Sequence, residues 1–302
     1  MESLKTNPAE KRFGPILFVR GQNQGRYPNC HSLYLEAGTR VIIDPASDRE
    51  RLAALRDGPG VDAAWLTHYH EDHFMHLDLF RDQELWMSAE DAPVLESLEA
   101  LFEYYGLTGE RERTYWTPVM KEMFNFLPRR TDRFLAEGEK LNLGGLMVEV
   151  LATPGHTRGH LSFYFPEEGV LFLGDYDLTP FGPWYGDVGS SLEETIVSVN
   201  RLRRRPARVW LSSHEQGLFE FEPGDLWDRY LSVIGEREAR LLEFLREPRT
   251  MGQIVEARLV YGRKREPPEY FDFAEKAIMG KHLERLIGRG EVVRAGDLYR
   301  PA

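Results

Sequence analysis

Thr67-His68-Tyr69-His70-Glu71-Asp72-His73 is the stretch on which the reading of this chain turns. It continues from Asp62–Thr67, which reads as a buried strand running into the histidines. Together with His76 it puts four of the chain's nine histidines within nine consecutive residues. Just after a strand, side chains at i and i+2 leave the same face, so His68 and His70 can converge on one cation. A turn then lets Asp72 and His73 face a neighbouring cation. Neutral imidazoles and a carboxylate suit a borderline first-row metal such as zinc. Tyr69 and Glu71 fill the intervening positions, and His76 reads as part of a following helix.

Three further pieces lie downstream, each at the end of an apolar run. Thr153-Pro154-Gly155-His156-Thr157-Arg158-Gly159-His160 follows the run Leu146–Thr153, and its proline and glycines force a tight loop that presents His156 sideways. Leu171-Phe172-Leu173-Gly174-Asp175 ends an apolar strand on an aspartate, with a glycine before it that permits close approach. Leu211-Ser212-Ser213-His214 ends another on a histidine. Any one of these side chains reads equally well as an ordinary hydrogen-bonding group. The set of seven, delivered by four strand ends, reads as a site built at one edge of a layered fold.

His-x-His-x-Asp-His, Pro-Gly-His-Thr-x-Gly-His, Gly-Asp and a late histidine, in that order, resemble the metallo-β-lactamase superfamily over roughly Pro15 to Phe221. The resemblance implies an α/β, four-layer αββα sandwich. It implies two divalent ions, zinc before iron or manganese, with His68, His70 and His156 on one, Asp72, His73 and His214 on the other, and Asp175 bridging. It further implies hydrolysis by a hydroxide shared between the two ions, with Asp72 also placed to relay a proton. His160 is expected to support the site by bonding a ligand carboxylate. A carboxylate at the bridging position resembles the glyoxalase II, lactonase and RNase Z-like branches. The best-known β-lactamases of this fold use cysteine there, and the only cysteine here is Cys30, far upstream. His70 stands where the flavodiiron relatives carry glutamate.

The segment after Asp175 contains Phe181, Trp184 and Tyr185, candidates to line a substrate pocket or to anchor a packed loop. Beside a dinuclear site, such a pocket suits a thioester or other small acyl ester. The rival substrate is a phosphodiester, RNA included, because a hydrolase domain with a winged-helix-like tail resembles a group of relatives that includes endoribonucleases. A third reading is a non-catalytic, nucleic-acid-binding regulator, disfavoured because every expected ligand is present.

Around these motifs, strand and helix patterns alternate up to about Phe221. A short helix, Asp48–Arg56, starts from a cap near Ser47. Residues about 90–130 form a helical insertion, predicted as helices over Asp91–Tyr105 and Thr114–Leu127. The apolar stripe of the second, Trp116 to Phe126, serves either core packing or a lid over a pocket. The sequence divides into a hydrolase domain, 1–222, and a winged-helix-like C-terminal domain, 223–302, with helices over Asp225–Leu245, Met251–Leu259 and Phe273–Ile287 and a closing hairpin.

Of the 302 residues, 42% are hydrophobic and 29% charged, which excludes a disordered chain. The net charge of −11 lies almost wholly before residue 225, since residues 225–302 carry 15 basic against 14 acidic groups. So acidic a body argues against general nucleic-acid binding, and the near-neutral tail reads as a packing element or a contact for a homo-oligomer. No apolar run approaches the roughly 18–20 residues of a membrane span. Met1–Arg12 lacks the apolar core of a leader, and a single cysteine forms no internal disulfide, so a cytoplasmic location is expected.

Overall fold

In the computed structural model, which describes residues 10–302, the apolar runs of the first half form one seven-stranded sheet. The first nine residues, most of the stretch read above for a leader, lie outside the described residues. The strands run in chain order as β1 (Lys11–Phe13), β2 (Ile16–Val19), β3 (Ser32–Leu35), β4 (Val41–Ile43), β5 (Ala63–Trp65), β6 (Glu84–Met87) and β7 (Arg133–Phe134). Antiparallel pairing gives way to parallel at β4–β5, where α1 (Arg49–Asp57) makes the crossover. The α1 cap is Asp48, whose side chain accepts from the Arg51 N–H.

The second sheet has six strands in the order β13-β12-β11-β10-β9-β8. These are β8 (Lys140–Asn142), β9 (Met147–Ala152), β10 (Leu161–Phe165), β11 (Val170–Phe172), β12 (Val209–Leu211) and β13 (Leu218–Phe219). Its one parallel pair, β11–β12, is joined through α5 (Leu192–Arg203).

Side-chain alternation explains the layering. Ile16 and Phe18 of β2 point into the space between the sheets, against Phe163 and Phe172, while Leu17 and Val19 pack outward with Leu52 and Leu55 of α1. Likewise Leu151, Tyr164 and Leu171 face outward against Val199 and Leu202 of α5. Both faces of each sheet are covered, which is why these strands read as continuous apolar runs. The expected α/β sandwich with helices outside is what forms.

The helical insertion differs in detail from its sequence pattern. Ala92–Glu96 is a 3-10 turn, and the helix α3 (Leu98–Tyr105) begins anew from Ser97, whose side chain accepts from the Ala100 N–H. Extended backbone at Ser97 breaks the single helix expected over Asp91–Tyr105. The next helix, α4 (Glu110–Pro118), starts four residues before Thr114 and runs into a π-helical stretch at Val119–Met123. Between β5 and β6 lies α2 (Glu71–Phe74), a single turn that carries part of the histidine motif.

The C-terminal part comprises α6 (Leu226–Phe244), α7 (Met251–Ala257) and α8 (Pro268–Gly288), with a small sheet of order β14-β16-β15 formed by β14 (Arg249–Thr250), β15 (Val292–Ala295) and β16 (Leu298–Pro301). Thr250 and Gln253 form a reciprocal capping box at α7. α8 starts five residues before Phe273, because Pro268 suits the first turn of a helix, and it continues through Gly288. Among the described residues no helix is long and apolar enough to cross a membrane.

Candidate metal centre

The parallel pairing of β4 with β5 and of β11 with β12 brings strand ends to one edge of the sandwich, where ligand sites of layered α/β folds form. The loop after β5 carries His68 and His70, and α2 carries Asp72 and His73. A hydrogen bond from the Leu161 N–H to the Thr67 carbonyl, 2.8 Å, ties that loop to the second sheet. The Thr153–His160 loop is closed by a 2.9 Å bond from the Thr153 N–H to the His160 carbonyl. Gly155 stands there at φ +127°, and a Cβ on it would lie 2.2 Å from the Thr195 nitrogen, so only glycine fits.

The seven residues singled out in sequence come together as two adjoining groups. His68, His70, His156 and Asp175 form one and Asp72, His73 and His214 the other, the ligand atoms of each lying within 4.8 Å of one another. Asp175 faces both: its Oδ2 is 3.3 Å from His156 Nε2, and its Oδ1 is 2.9 Å from His73 Nε2 and 3.4 Å from His214 Nε2. Asp72 Oδ2 lies 3.5 Å from His214 Nε2.

Every one of the five imidazoles turns its other nitrogen to an acceptor. His70 Nε2 meets Asp187 Oδ2 at 2.6 Å, and His73 Nδ1 meets Asp44 Oδ2 at 3.0 Å. His156 Nδ1 meets the Trp184 carbonyl at 3.2 Å, and His214 Nδ1 the Gly25 carbonyl at 2.7 Å. Thr67 Oγ1 gives its proton to Asp44, 2.8 Å, and so accepts from His68 Nδ1, 2.9 Å. These partners put the protons on the outward nitrogens and leave lone pairs pointing inward. There His156 Nε2 lies 3.0 Å from His68 Nε2 and 2.9 Å from His70 Nδ1. Lone pairs that close repel unless a cation sits among them. His73 Nε2 and Asp175 Oδ1, though 2.9 Å apart, are buried and not aligned for a hydrogen bond with each other or with any other group. The donor set fits divalent metal.

The electrostatics agree. Burial lowers the pKa of His70 and His214, but Asp187 outweighs it at His70, raising it to about 9, and Asp175 and Asp72 outweigh it at His214, raising it to about 10. Burial would raise Asp175, yet His73, His214, His68 and His156 hold it well below the carboxylate range. The pocket is a field that draws positive charge.

His160 supports the site in a different way from the one expected. Its Nε2 accepts from the Asp175 backbone N–H at 3.1 Å, so it positions the main chain of that residue and not a carboxylate. A Cβ at Gly174 would come within 2.5 Å of this nitrogen, which explains the glycine. His76 lies apart from both groups, with its Nδ1 3.4 Å from Arg49 Nη1.

Beside the metal groups lies a cavity of about 230 Å³. Phe181 and Trp184 line it, as expected of that segment. Tyr185 does not: it is fully buried, and its hydroxyl binds His282 Nε2 at 3.0 Å and accepts from Arg237 at 2.9 Å. The aromatic stripe of the insertion serves both purposes, since Trp116 and Met120 line the cavity while Phe124 and Phe126 lie in the core. Asp177 also lines the cavity, capping a turn by accepting from Thr179 N–H and Oγ1, each at 3.1 Å, and burial raises its pKa to about 7.

Several supporting residues escaped the sequence reading. Asp91 is buried and accepts from Thr157 Oγ1 at 2.6 Å and the Gly159 N–H at 2.8 Å, fixing the His156 loop. Arg237 of α6 donates to the Phe181 carbonyl at 2.7 Å and the Pro183 carbonyl at 3.0 Å, while Tyr230 donates to the Asp175 carbonyl at 3.0 Å. Asp44 had a signal: Val41-Ile42-Ile43-Asp44 is an acid ending an apolar strand, the same pattern as Leu171 to Asp175. Asp187 and Arg237 had none.

The family model described as the metallo-β-lactamase superfamily matches residues 26–214. A hydroxyacylglutathione hydrolase of a Synechococcus species is 30% identical over 221 residues, 68% of this chain and 73% of the relative. One from Haemophilus influenzae is 33% identical over 184 residues, 59% of this chain and 79% of the relative. Among solved structures, a metallo-β-lactamase family protein from Thermus thermophilus aligns with a TM-score of 0.73 at 24% identity, covering 95% of this chain and 99% of the other. A β-lactamase domain protein from Burkholderia ambifaria aligns at 0.71 and 19% identity, covering 99% and 96%. At these identities the structural matches speak to fold alone, and they extend it through the C-terminal part.

Proposed function

As a member of the metallo-β-lactamase superfamily the chain is a metal-dependent hydrolase, and we propose that it works with two divalent ions on a small thioester or other acyl ester. The observation that carries this is the single Asp175 carboxylate shared by two groups whose imidazoles each turn one nitrogen inward and hold an acceptor on the other. His68, His70, His156 and Asp175 would hold one ion, and Asp72, His73, His214 and Asp175 the other, with zinc first among the metals that suit imidazole and carboxylate. When bound, such ions supply Lewis acidity for the acyl oxygen and bring the pKa of water toward 7.

The chain's own residues do the rest. Asp187, Asp44 and the carbonyls of Trp184 and Gly25 fix the imidazole rings before substrate arrives, so no reorganisation is needed in the reaction. Asp72 faces the cavity and is placed to hold a proton beside the reacting carbonyl. The aromatic wall around Trp184 excludes water from the acyl group. The relatives are named for hydrolysis of a glutathione thioester, which supports the acyl class over a phosphodiester. We read 1–222 as the hydrolase unit and 223–302 as a winged-helix-like unit that packs upon it.

The test is elemental analysis of purified protein joined to a screen of thioesters, lactones and bis-p-nitrophenyl phosphate. Two metal ions per chain and turnover of thioesters or esters are expected. Turnover of the phosphodiester alone, or full activity at one ion per chain, overturns the reading.

A further inference from the structure

The cavity beside the metal groups has walls drawn from distant parts of the chain. One wall joins Trp116 and Met120 of the helical insertion to Tyr270 and Phe273 of α8. These side chains pack on one another: the ring of Trp116 is 5.8 Å from Tyr270 and 6.4 Å from Phe273, and Tyr270 lies 5.2 Å from Tyr27. The C-terminal part therefore completes the substrate cavity in the same chain.

The charges of the cavity are one-sided. Beyond Asp72 and Asp175, it is lined by Glu71, Asp177 and Glu215. Among the described residues that line it, Arg26 is the one arginine or lysine, with its side chain 58% exposed and 3.9 Å from Glu215. Glu71 is saturated, accepting from Tyr27 at 2.8 Å and from Tyr105. A substrate carboxylate or phosphate entering here would be stripped of water among like charges, with Arg26, exposed and beside Glu215, the one basic side chain to meet it beyond the metal site. An apolar group would replace water against four aromatic or thioether surfaces.

We propose that the acyl part of the substrate is an apolar, uncharged chain or ring seated against the joint surface of Trp116, Met120, Tyr270 and Phe273, with a leaving group that carries no negative charge. This rests on the acyl-hydrolase reading above. It makes α8 a determinant of specificity, and it separates this chain from an enzyme built for the two carboxylates of a glutathione thioester.

The experiment compares acetyl and octanoyl thioesters of N-acetylcysteamine, a neutral thiol, and of glutathione, on metal-loaded full-length protein. The octanoyl ester of the neutral thiol is expected to exceed both its acetyl counterpart and octanoyl-glutathione by at least about tenfold in kcat/KM. Calorimetry with the unreactive thioether S-octyl-N-acetylcysteamine reads the same seat without turnover. Phe273→Ala and Trp116→Ala should each weaken its binding about tenfold and shrink the octanoyl-to-acetyl ratio at least fivefold. Glutathione esters turned over as fast as the neutral ones, or no preference for octanoyl, overturns the inference. Thioether binding unmoved in the folded variants does the same. Absence of hydrolysis toward any thioester or ester, with the thioether still bound at the aromatic walls, sinks the acyl-hydrolase reading and spares the seat. If a variant fails to fold, the wild-type series and calorimetry decide.

Discussion

His70 and His73 stand three residues apart in one motif, yet they lean on carboxylates from distant parts of the chain. His73 rests on Asp44, at the end of β4 in the same sheet, and Asp44 also accepts from the Thr67 N–H and Oγ1, each at 2.8 Å. That carboxylate, the threonine and the histidine all lie between residues 44 and 73. Asp44 holds them from a left-handed backbone at φ +51°, which aspartate tolerates better than most residues. His70 rests on Asp187, 117 residues onward, which also accepts from Tyr69 at 2.5 Å and Trp184 at 3.2 Å. The loop that carries Asp187 is held in turn by Arg237 of α6. The His73 ring is therefore held from within the first sheet's own stretch of chain, and the His70 ring from a loop that the C-terminal α6 braces.

Perturbing one half at a time tests that contrast. Asp175→Ala removes the group common to both. Metal content should fall from two ions per chain to less than half an ion, and hydrolysis by at least about 10³-fold. Retention of one tight ion would show the halves to be less coupled than drawn. Asp44→Ala should come next, because it strands the Thr67 N–H and the His73 ring in the core. A loss of about 4 kcal/mol in urea melts is expected, with metal weakened first at the Asp72, His73 and His214 group and less at the other, through Thr67 and His68.

His31 offers a pH handle on that same half, since its N–H bonds the Ser213 carbonyl at 2.7 Å and its Nε2 the Glu215 carbonyl at 3.1 Å, on either side of His214. Burial lowers its pKa to about 4. The unfolded chain takes up this proton first, so the contribution is full above pH 6.5 and is lost as pH falls toward 4. About 3 kcal/mol should disappear over that window. In metal-free protein His31→Gln should flatten the slope of stability against pH between 7 and 4.5, and an unchanged slope would refute the assignment.

Asp187→Asn should weaken metal about 10–100-fold, and only at the His68, His70 and His156 group. Stepwise cobalt titration followed by absorption would resolve the two sites. If Asp44 and Asp187 variants lose the same ion, the contrast fails. Arg237→Lys keeps the charge without the fork that reaches two carbonyls, so it should mimic Asp187→Asn faintly, by about threefold.

The same contrast marks what the sequence could reveal. The seven ligand candidates were legible because a metal site needs particular atoms at strand ends, and strand ends show as apolar runs that stop. The αββα layering was legible for the same reason. Helix limits in the insertion were not: the Ser97 cap interrupts an apolar spacing that runs on unbroken through it, and the π-helical turn at Val119–Met123 places Met120 on the cavity, which no local pattern encodes. Tyr185 was misplaced because an aromatic in a loop reads alike whether it faces a cavity or, as here, Arg237 and His282. The role of α8 was invisible, since Tyr270 and Phe273 meet Trp116 across more than 150 residues of chain.

Arg237 sets a limit on how this protein can be cut. Its guanidinium is only 1% exposed, it bonds two carbonyls and a tyrosine hydroxyl, and among the described residues no carboxylate pairs with it. Cleavage near residue 222 would leave a bare charge on one fragment and orphaned acceptors on the other. Arg237 thus ties the two sides of the boundary that composition suggests, and swapping the tail between relatives would carry away part of the scaffold of the loop that bears Asp187.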